Sequence, residues 1–95
     1  MKLSIRKEAE SDIASAIAWY DRQQSGVGGQ LLNEPHRLFE RISENSFLFP
    51  EIQSGIRRAL TGLFPYAVYY RVSELEITVY AVLHQRRSPA AWQRA

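Results

Sequence analysis

One histidine and several arginines in the C-terminal half of the chain are the side chains that RNA cleavage would need. Attack of a ribose 2′-hydroxyl on the neighbouring phosphate requires a base for the hydroxyl, cations at the phosphate and an acid for the leaving oxygen. His84 is the candidate acid or base. The candidate phosphate-binding cations are Arg57, Arg58, Arg71 and Arg86, and the candidate base-stacking rings are Tyr66, Tyr69 and Tyr80. Aromatic side chains commonly stack on the bases of single-stranded RNA.

A carboxylate that could complete this chemistry is harder to place. Glu51 and Glu76 are the candidates, but nothing in the sequence puts either of them beside His84. The same residues also have structural explanations. His84 can cap a sheet with both ring nitrogens hydrogen-bonded, and Arg57 and Arg58 can pair with helix carboxylates. Exposed ion pairs of that kind contribute only ~0–1 kcal/mol.

The chain around His84 alternates as β-strands do. The segments FPYAVYYRV and ITVYAVLH are rich in Val, Ile and Tyr and flank Ser73–Glu76, which predicts an antiparallel hairpin. Successive strand residues face opposite sides of a sheet. In the first strand, one side would carry Tyr66, Val68, Tyr70 and Val72. In the second strand, one side would carry Ile77, Val79, Ala81 and Leu83, and the other Thr78, Tyr80, Val82 and His84.

The N-terminal half predicts one strand and two helices. Leu3 and Ile5 alternate with polar residues, which suits a short strand. Apolar residues then recur at helical spacing, which predicts an amphipathic helix from Glu8 to about Gln24. The glycine-rich residues 25–29 end it, and a second helical pattern follows. So short a connection predicts an antiparallel helical hairpin.

Pro35 is the unusual residue of the second helix. Inside a helix, proline removes one hydrogen bond and clashes with the preceding turn, at a cost of ~3 kcal/mol. Two interpretations remain open: a helix that starts near Asn33 with Pro35 in its first turn, or one longer helix kinked at Pro35. We favour the longer helix because Leu31 and Leu32 fit the same face.

The order of these elements predicts an α+β fold. Residues 45–55 are predicted to form a loop whose Phe47, Leu48 and Phe49 return to the core, and Ile56 to Leu60 a further strand. Strand, two helices and three strands then give a two-helix antiparallel hairpin packed on one face of a small antiparallel sheet. The other sheet face is expected to be bare. Trp92 is predicted to close the end of the core.

Composition and charge narrow the function classes. Ninety-five residues without cysteine make one small domain (1–95) that cannot use disulfides, thiolate catalysis or cysteine-ligated zinc. The two histidines, His36 and His84, lie far apart without clustered carboxylates, so we predict neither a metal site nor a cofactor. The charged N-terminus and the lack of an apolar run of about 18 residues predict a cytoplasmic protein.

The charge is distributed unevenly along the chain. Residues 1–53 carry six Lys/Arg and eight Asp/Glu, a net charge of −2, whereas residues 54–95 carry six Arg and two Glu, a net charge of +4. A basic, strand-rich half suggests an anionic partner, either nucleic acid or an acidic protein segment. An ordinary solvated surface is the alternative.

The C-terminal segment resembles the ParE/RelE family, the toxins of bacterial type II toxin–antitoxin systems. The residues that carry the resemblance are Phe64-Pro65-Tyr66, Val68, Tyr70, the run from Ala81 to Arg87, Pro89 and Trp92. Asp12-Ile13, Tyr20 and the run from Leu38 to Ile42 extend it weakly over the whole chain. The resemblance implies the same α+β fold.

The resemblance also implies a choice between two activities. The ribosome-dependent RelE-like mRNA endonucleases carry a dense set of Lys and Arg with a C-terminal Tyr or His. This chain has no lysine after Lys7 and ends in Gln93-Arg94-Ala95. Its motif around His84 is more similar to the ParE branch, whose members inhibit DNA gyrase. A gyrase inhibitor is therefore favoured; the alternatives are an mRNA endonuclease using His84, Arg57 and Arg86, and an inactive relic that retains only antitoxin binding.

A cognate antitoxin is the partner that the resemblance implies. Its C-terminal segment, acidic in such systems, would add a helix, a strand or both across the toxin. DNA gyrase, or the ribosome with its mRNA, would be the target. The candidate target- or antitoxin-binding residues are Arg58, Tyr66, Tyr69, Arg71, Tyr80, Arg87 and Trp92. One departure bears on this: Thr61-Gly62-Leu63 stands where relatives often carry basic residues, which weakens a nucleic-acid interpretation.

Overall fold

A computed structural model describes residues 2–62 and 64–86, with only the backbone of Leu32. Arg87, Pro89 and Trp92 therefore lie outside the described residues. The elements are β1 (Lys2–Ile5), α1 (Lys7–Gln23), α2 (Val27–Glu44), β2 (Glu51–Gln53), β3 (Ile56–Leu60), β4 (Tyr66–Val72) and β5 (Glu76–His84). The predicted α+β class, with two helices against one sheet, is confirmed.

The sheet differs from the prediction in two details. Its strand order is β1-β5-β4-β3-β2, and β1 pairs in parallel with β5, so the sheet is mixed and not wholly antiparallel. A fourth C-terminal strand, β2, lies within the predicted loop. Strand β2 has only three residues, of which Ile52 is apolar, so it is too short to show an alternating pattern in the sequence. Its pairing with β3, Glu51 opposite Arg57, defines it.

The two helices approach each other closely at Gly28. The backbone N–H of Gly28 donates a hydrogen bond to Oδ1 of Asp21 at 2.7 Å, which satisfies one of the unpaired donors at the start of α2. A Cβ on Gly28 would lie 2.6 Å from the carbonyl oxygen of Ile17. The glycine therefore permits this helix–helix contact. The favoured single helix is confirmed, because α2 begins at Val27 and contains Pro35; a start near Asn33 is wrong.

The main core lies between the helices and one face of the sheet. Ala9, Leu38, Phe39 and Ile42 supply the helical side of this core. The strands supply Ala59, Val68, Tyr70, Ile77, Val79 and Val82. Tyr70 is fully buried, and its hydroxyl donates a hydrogen bond to the carbonyl oxygen of Ser46 at 2.9 Å. The ring thus fills the core while its polar atom is satisfied.

A β-bulge in β5 changes which face each later residue occupies. Tyr69 pairs with Ala81 and Tyr70 with Val79, so Tyr80 is the extra residue. Val79 packs in the main core, whereas Ala81 and Leu83 pack on the second sheet face. The predicted common side for Ile77, Val79, Ala81 and Leu83 is therefore wrong beyond Tyr80.

The centre of the second sheet face is buried, which corrects the expectation of a bare surface. Its apolar residues are at most 3% exposed: Ile56, Ala67, Tyr69, Ala81 and Leu83. Polar and charged groups on this face lie around that cluster. Among the described residues, no helix has the length and apolarity to cross a membrane.

Candidate functional site

An open cleft lies where α1 crosses the ends of β4 and β5. Its volume is about 260 Å³, and it is lined by Asp12, Ser15, Ala16, Tyr66, Val82, Leu83 and His84. The pairing of Tyr66 with His84 across β4 and β5 brings the two candidate side chains together. Carboxylate, hydroxyl, phenol and imidazole groups therefore border one cleft.

His84 is held by Tyr66 on the neighbouring strand and by the backbone of Arg86. Its ring meets the ring of Tyr66 edge to face, with 5.5 Å between centroids. Its Nδ1 accepts a hydrogen bond from the backbone N–H of Arg86 at 3.1 Å. Since a neutral imidazole has one donor and one acceptor nitrogen, the hydrogen of neutral His84 is on Nε2. In the neutral ring, Nδ1 is therefore the acceptor and Nε2 is the nitrogen left to donate.

A group of aromatic rings continues from Tyr66 to the end of α1. Tyr20 lies 5.2 Å from Phe64 and 6.3 Å from Tyr66, measured between ring centroids. Trp19 packs edge-on against Tyr20 and is 49% exposed. Burial, and secondarily the nearby Tyr20, raise the pKa of Tyr66 above its ordinary value of 10.0. The phenol of Tyr66 therefore remains a neutral hydrogen-bonding group at physiological pH.

Asp12 is the carboxylate of the cleft, and the sequence interpretation missed it. Its Oδ2 accepts a hydrogen bond from the backbone N–H of Val82 at 3.0 Å. The carboxylates considered from sequence lie elsewhere: Glu76 accepts a hydrogen bond from Ser4 at 3.1 Å, and Glu51 is in β2. A signal was present, because Asp12 stands at helical spacing between the buried Ala9 and Ala16. That spacing places it at the border between α1 and the sheet.

Arg57 and Arg58 occupy opposite faces of β3. Arg57 lies opposite Tyr70 on the helical face. Its guanidinium donates a hydrogen bond to the carbonyl oxygen of Phe49 at 2.6 Å and lies 4.9 Å from the ring centroid of Phe47. Arg58 lies opposite Tyr69, on the second face. The prediction that Arg57 and Arg58 lie on opposite sides of this strand is confirmed, so the two arginines have different neighbours.

Tyr80 gathers two arginines on the second face. The guanidinium carbon of Arg6 lies 5.0 Å from its ring centroid, and that of Arg71 lies 5.9 Å away. Arg71 also donates a hydrogen bond to the carbonyl oxygen of Ser54 at 2.9 Å. Tyr69, by contrast, is only 1% exposed, so its ring is not presented at the surface. Arg6 had no role in the sequence interpretation.

Comparison with known families decides the classification. A family model for the ParE toxin of type II toxin–antitoxin system, parDE, matches residues 3–89. This chain belongs to the ParE toxin family. The resemblance noted in the sequence, with its preference for the ParE branch, is thereby confirmed.

A solved structure supports the fold of this ParE-family toxin. The similar structure is a chain from the chromosomal ParDE TA system from P. aeruginosa, with a TM-score of 0.80 and 15% sequence identity. The match covers 88% of this chain and 95% of that chain. A search of curated proteins finds no significant match.

The nuclease candidates are only partly assembled in this ParE-family toxin. Arg86 follows His84 by two residues and its backbone contacts the imidazole, but Arg57 is four residues further along the sheet and two strands away. Strand spacing puts the Cα atoms of Arg57 and His84 about 16 Å apart. Within residues 2–62 and 64–86, no group of three or more His, Cys, Asp or Glu is arranged to hold a metal ion.

Proposed function

We propose that this ParE-family toxin arrests growth by binding a target protein, DNA gyrase, and that an antitoxin with an acidic segment neutralises it. Family membership supports the toxin role. The net charge of +4 on residues 54–95 supports an acidic partner. Action on gyrase would place the protein in the cytoplasm.

The hydrogen bond from the Arg86 N–H to Nδ1 of His84 is the main structural reason to favour a gyrase inhibitor over a ribonuclease. Because Nδ1 already accepts the Arg86 N–H, neutral His84 has its hydrogen on Nε2 and offers the cleft no lone pair for a 2′-hydroxyl proton. A doubly protonated ring would lose this bond, because Nδ1 would then be a donor facing another donor. The observed bond thus disfavours His84 as a base and gives no support to it as an acid.

The positions of the cations point the same way. A scissile phosphate at His84 would need several positive groups within hydrogen-bond reach. Arg57 is held by Phe49 on a distant part of the sheet, and Arg58 and Arg71 lie on the second face. Of the described candidate arginines, only Arg86 is adjacent to His84. This arrangement favours a protein-binding surface.

Two assays with purified toxin test the choice of target. The first measures DNA supercoiling by gyrase and trapping of cleaved DNA; the second measures mRNA integrity in a translating extract. We expect inhibition of supercoiling with intact mRNA. His84→Ala is compared with His36→Ala, a change at the exposed histidine of α2. Cutting of mRNA that is lost in His84→Ala and kept in His36→Ala would overturn the proposal in favour of an endonuclease.

Expression in cells tests the toxin–antitoxin relationship. We expect the chain to arrest growth when expressed alone and to be harmless when co-expressed with the protein of the adjacent reading frame. A chain that is harmless alone, yet binds that neighbouring protein, would be a relic and would contradict the proposed toxicity.

A further inference from the structure

The second sheet face carries a line of arginines that the family assignment does not explain. Tyr80 is the extra residue of the β5 bulge, and its ring packs beside the buried cluster of that face. Arg6 reaches the ring from the β1 side and Arg71 from β4, at 5.0 and 5.9 Å from the ring centroid. Arg58 lies two strands from Tyr80, opposite Tyr69. We call Arg6, Tyr80, Arg71 and Arg58 the arginine strip.

Two arginines of the strip, Arg6 and Arg71, are held in place but remain accessible. Arg6 forms an ion pair with Glu8 at 3.1 Å, in which both side chains are 37% exposed. Arg71 is exposed and is anchored through the carbonyl oxygen of Ser54. A carbonyl anchor leaves the positive charge of Arg71 uncompensated. Guanidinium groups fixed in this way lose less conformational entropy when they bind a ligand.

The chemistry of the strip fits carboxylates better than nucleobases. Two guanidinium groups already lie over the Tyr80 ring, which opposes stacking by an incoming base. A guanidinium group matches a carboxylate in a planar, two-point hydrogen bond. Arginines on three strands, β4, β3 and the end of β1, would suit carboxylates spaced along one segment that crosses the strands.

We propose that the arginine strip is the docking surface for an acidic polypeptide segment of a partner protein. The proposal rests on the proposed function, since the partner would be the antitoxin of this toxin. Glu8 already occupies Arg6, so an incoming carboxylate must compete with it there. Arg71 has no such competitor among the described residues. Arg71 therefore contributes more to binding than Arg6, and Glu8 acts as an internal competitor.

Binding of a synthetic acidic peptide to the full chain tests this surface. The probe is a fluorescein-labelled twelve-residue peptide with glutamate at every second position, measured by anisotropy at low and physiological salt. We expect Arg71→Gln to weaken binding about three- to fivefold, the effect of losing one exposed charge pair. We expect Glu8→Gln to strengthen binding, because it releases Arg6. Arg22→Gln, which makes the same charge change at the end of α1, is the control.

Stronger binding by Glu8→Gln cannot come from a loss of folding, which would weaken binding. Two controls measure the effect of net charge: Arg22→Gln for Arg71→Gln, and Glu40→Gln, at an exposed glutamate of α2, for Glu8→Gln, which must strengthen binding more than Glu40→Gln does. Equal weakening by Arg71→Gln and Arg22→Gln would overturn the proposal in favour of a diffuse charge effect. Unchanged or weaker binding in Glu8→Gln would exclude Arg6 from the surface. If a twelve-nucleotide poly(U) RNA binds more tightly than the acidic peptide, and Arg71→Gln abolishes that binding, the strip is a nucleic-acid surface and the proposal is overturned. If the chain arrests growth but the peptide tests fail, the proposed toxin function stands and the arginine strip is not the docking surface. If the peptide tests succeed but the chain is harmless when expressed alone, the docking surface stands and the proposed toxicity is wrong.

Discussion

The carboxylate of Asp12 accepts a hydrogen bond from the backbone N–H of Val82 at 3.0 Å. Asp12 is in α1 and Val82 is the second residue after the bulge at Tyr80. Helix and strand are therefore linked where β5 changes the faces of its side chains. This link lies beside the cleft and two residues from Tyr80, whose ring contacts Arg6 and Arg71.

Removal of the Asp12 carboxylate should destabilise the fold. Asp12→Ala leaves the Val82 N–H without this acceptor, and an unsatisfied buried donor costs about 1–3 kcal/mol. Asp12→Asn keeps an acceptor oxygen and should lose less. Urea unfolding at pH 7 measures both, with Ser11→Ala on the neighbouring exposed position as the control. An Asp12→Ala chain as stable as Ser11→Ala would show that this bond contributes nothing.

Local patterns predicted most of the elements of this fold. The apolar spacing in α1 and α2 is strong enough to define two helices, and the glycine-rich residues 25–29 mark their connection. The alternation in β3 correctly separates Arg57 from Arg58. The pairing of β4 with β5 follows from the short break at Ser73–Glu76. Each of these signals lies within a few residues of the structure that it specifies.

The parts that sequence reasoning missed depend on contacts between distant residues. β1 pairs with β5 across more than 70 positions, and no local pattern gives the direction of that pairing. The bulge at Tyr80 has no glycine to mark it, so a strict period of two assigned Ala81 and Leu83 to the wrong face. Asp12 meets Val82 only because α1 crosses β5. The candidate site was therefore half predicted: His84 and Tyr66 were identified, but their carboxylate neighbour was not.

Gly28 and Gly29 are adjacent glycines of α2 with opposite expected responses to alanine. A Cβ on Gly28 would lie 2.6 Å from the Ile17 carbonyl oxygen and 2.8 Å from the Asp21 carboxyl carbon, so the helices must separate. Overpacking of this kind costs about 1–3 kcal/mol. A Cβ on Gly29 meets nothing within 4 Å, and Gly29→Ala should stabilise the helix by up to about 1 kcal/mol. Thermal unfolding of the two variants checks the difference; equal effects would contradict the close helix contact.

Arg57 and Arg58 provide a second matched pair, on opposite faces of one strand. Arg57→Gln removes the hydrogen bond to the Phe49 carbonyl oxygen and the contact with the Phe47 ring. We expect a loss of about 1.5–3 kcal/mol, typical of one hydrogen bond from a charged group. Arg58→Gln should change the free energy of unfolding by less than about 0.5 kcal/mol. Chemical denaturation measures both. A larger loss in Arg58→Gln would mean that the second face depends more on its arginine than the contacts indicate.

Tyr70 should make the fold sensitive to alkaline pH. Burial raises the pKa of its phenol above the ordinary value of 10.0, against smaller opposing effects of the Arg57 charge and a backbone hydrogen bond at Phe49. Above pH 10 the unfolded chain releases this proton while the folded chain retains it, so stability falls as pH rises through the folded pKa. Below pH 10 the contribution is fully present.

Urea unfolding between pH 8 and 11 should show a steeper decline in stability for the wild-type chain than for Tyr70→Phe. Tyr70→Phe should be less stable than the wild-type chain at pH 8, because the Ser46 carbonyl oxygen loses its hydrogen-bond donor. Part of the alkaline decline in stability should remain in Tyr70→Phe, because the pKa of Tyr66 is also raised. Identical slopes for the two chains would show that the Tyr70 phenol does not couple to unfolding.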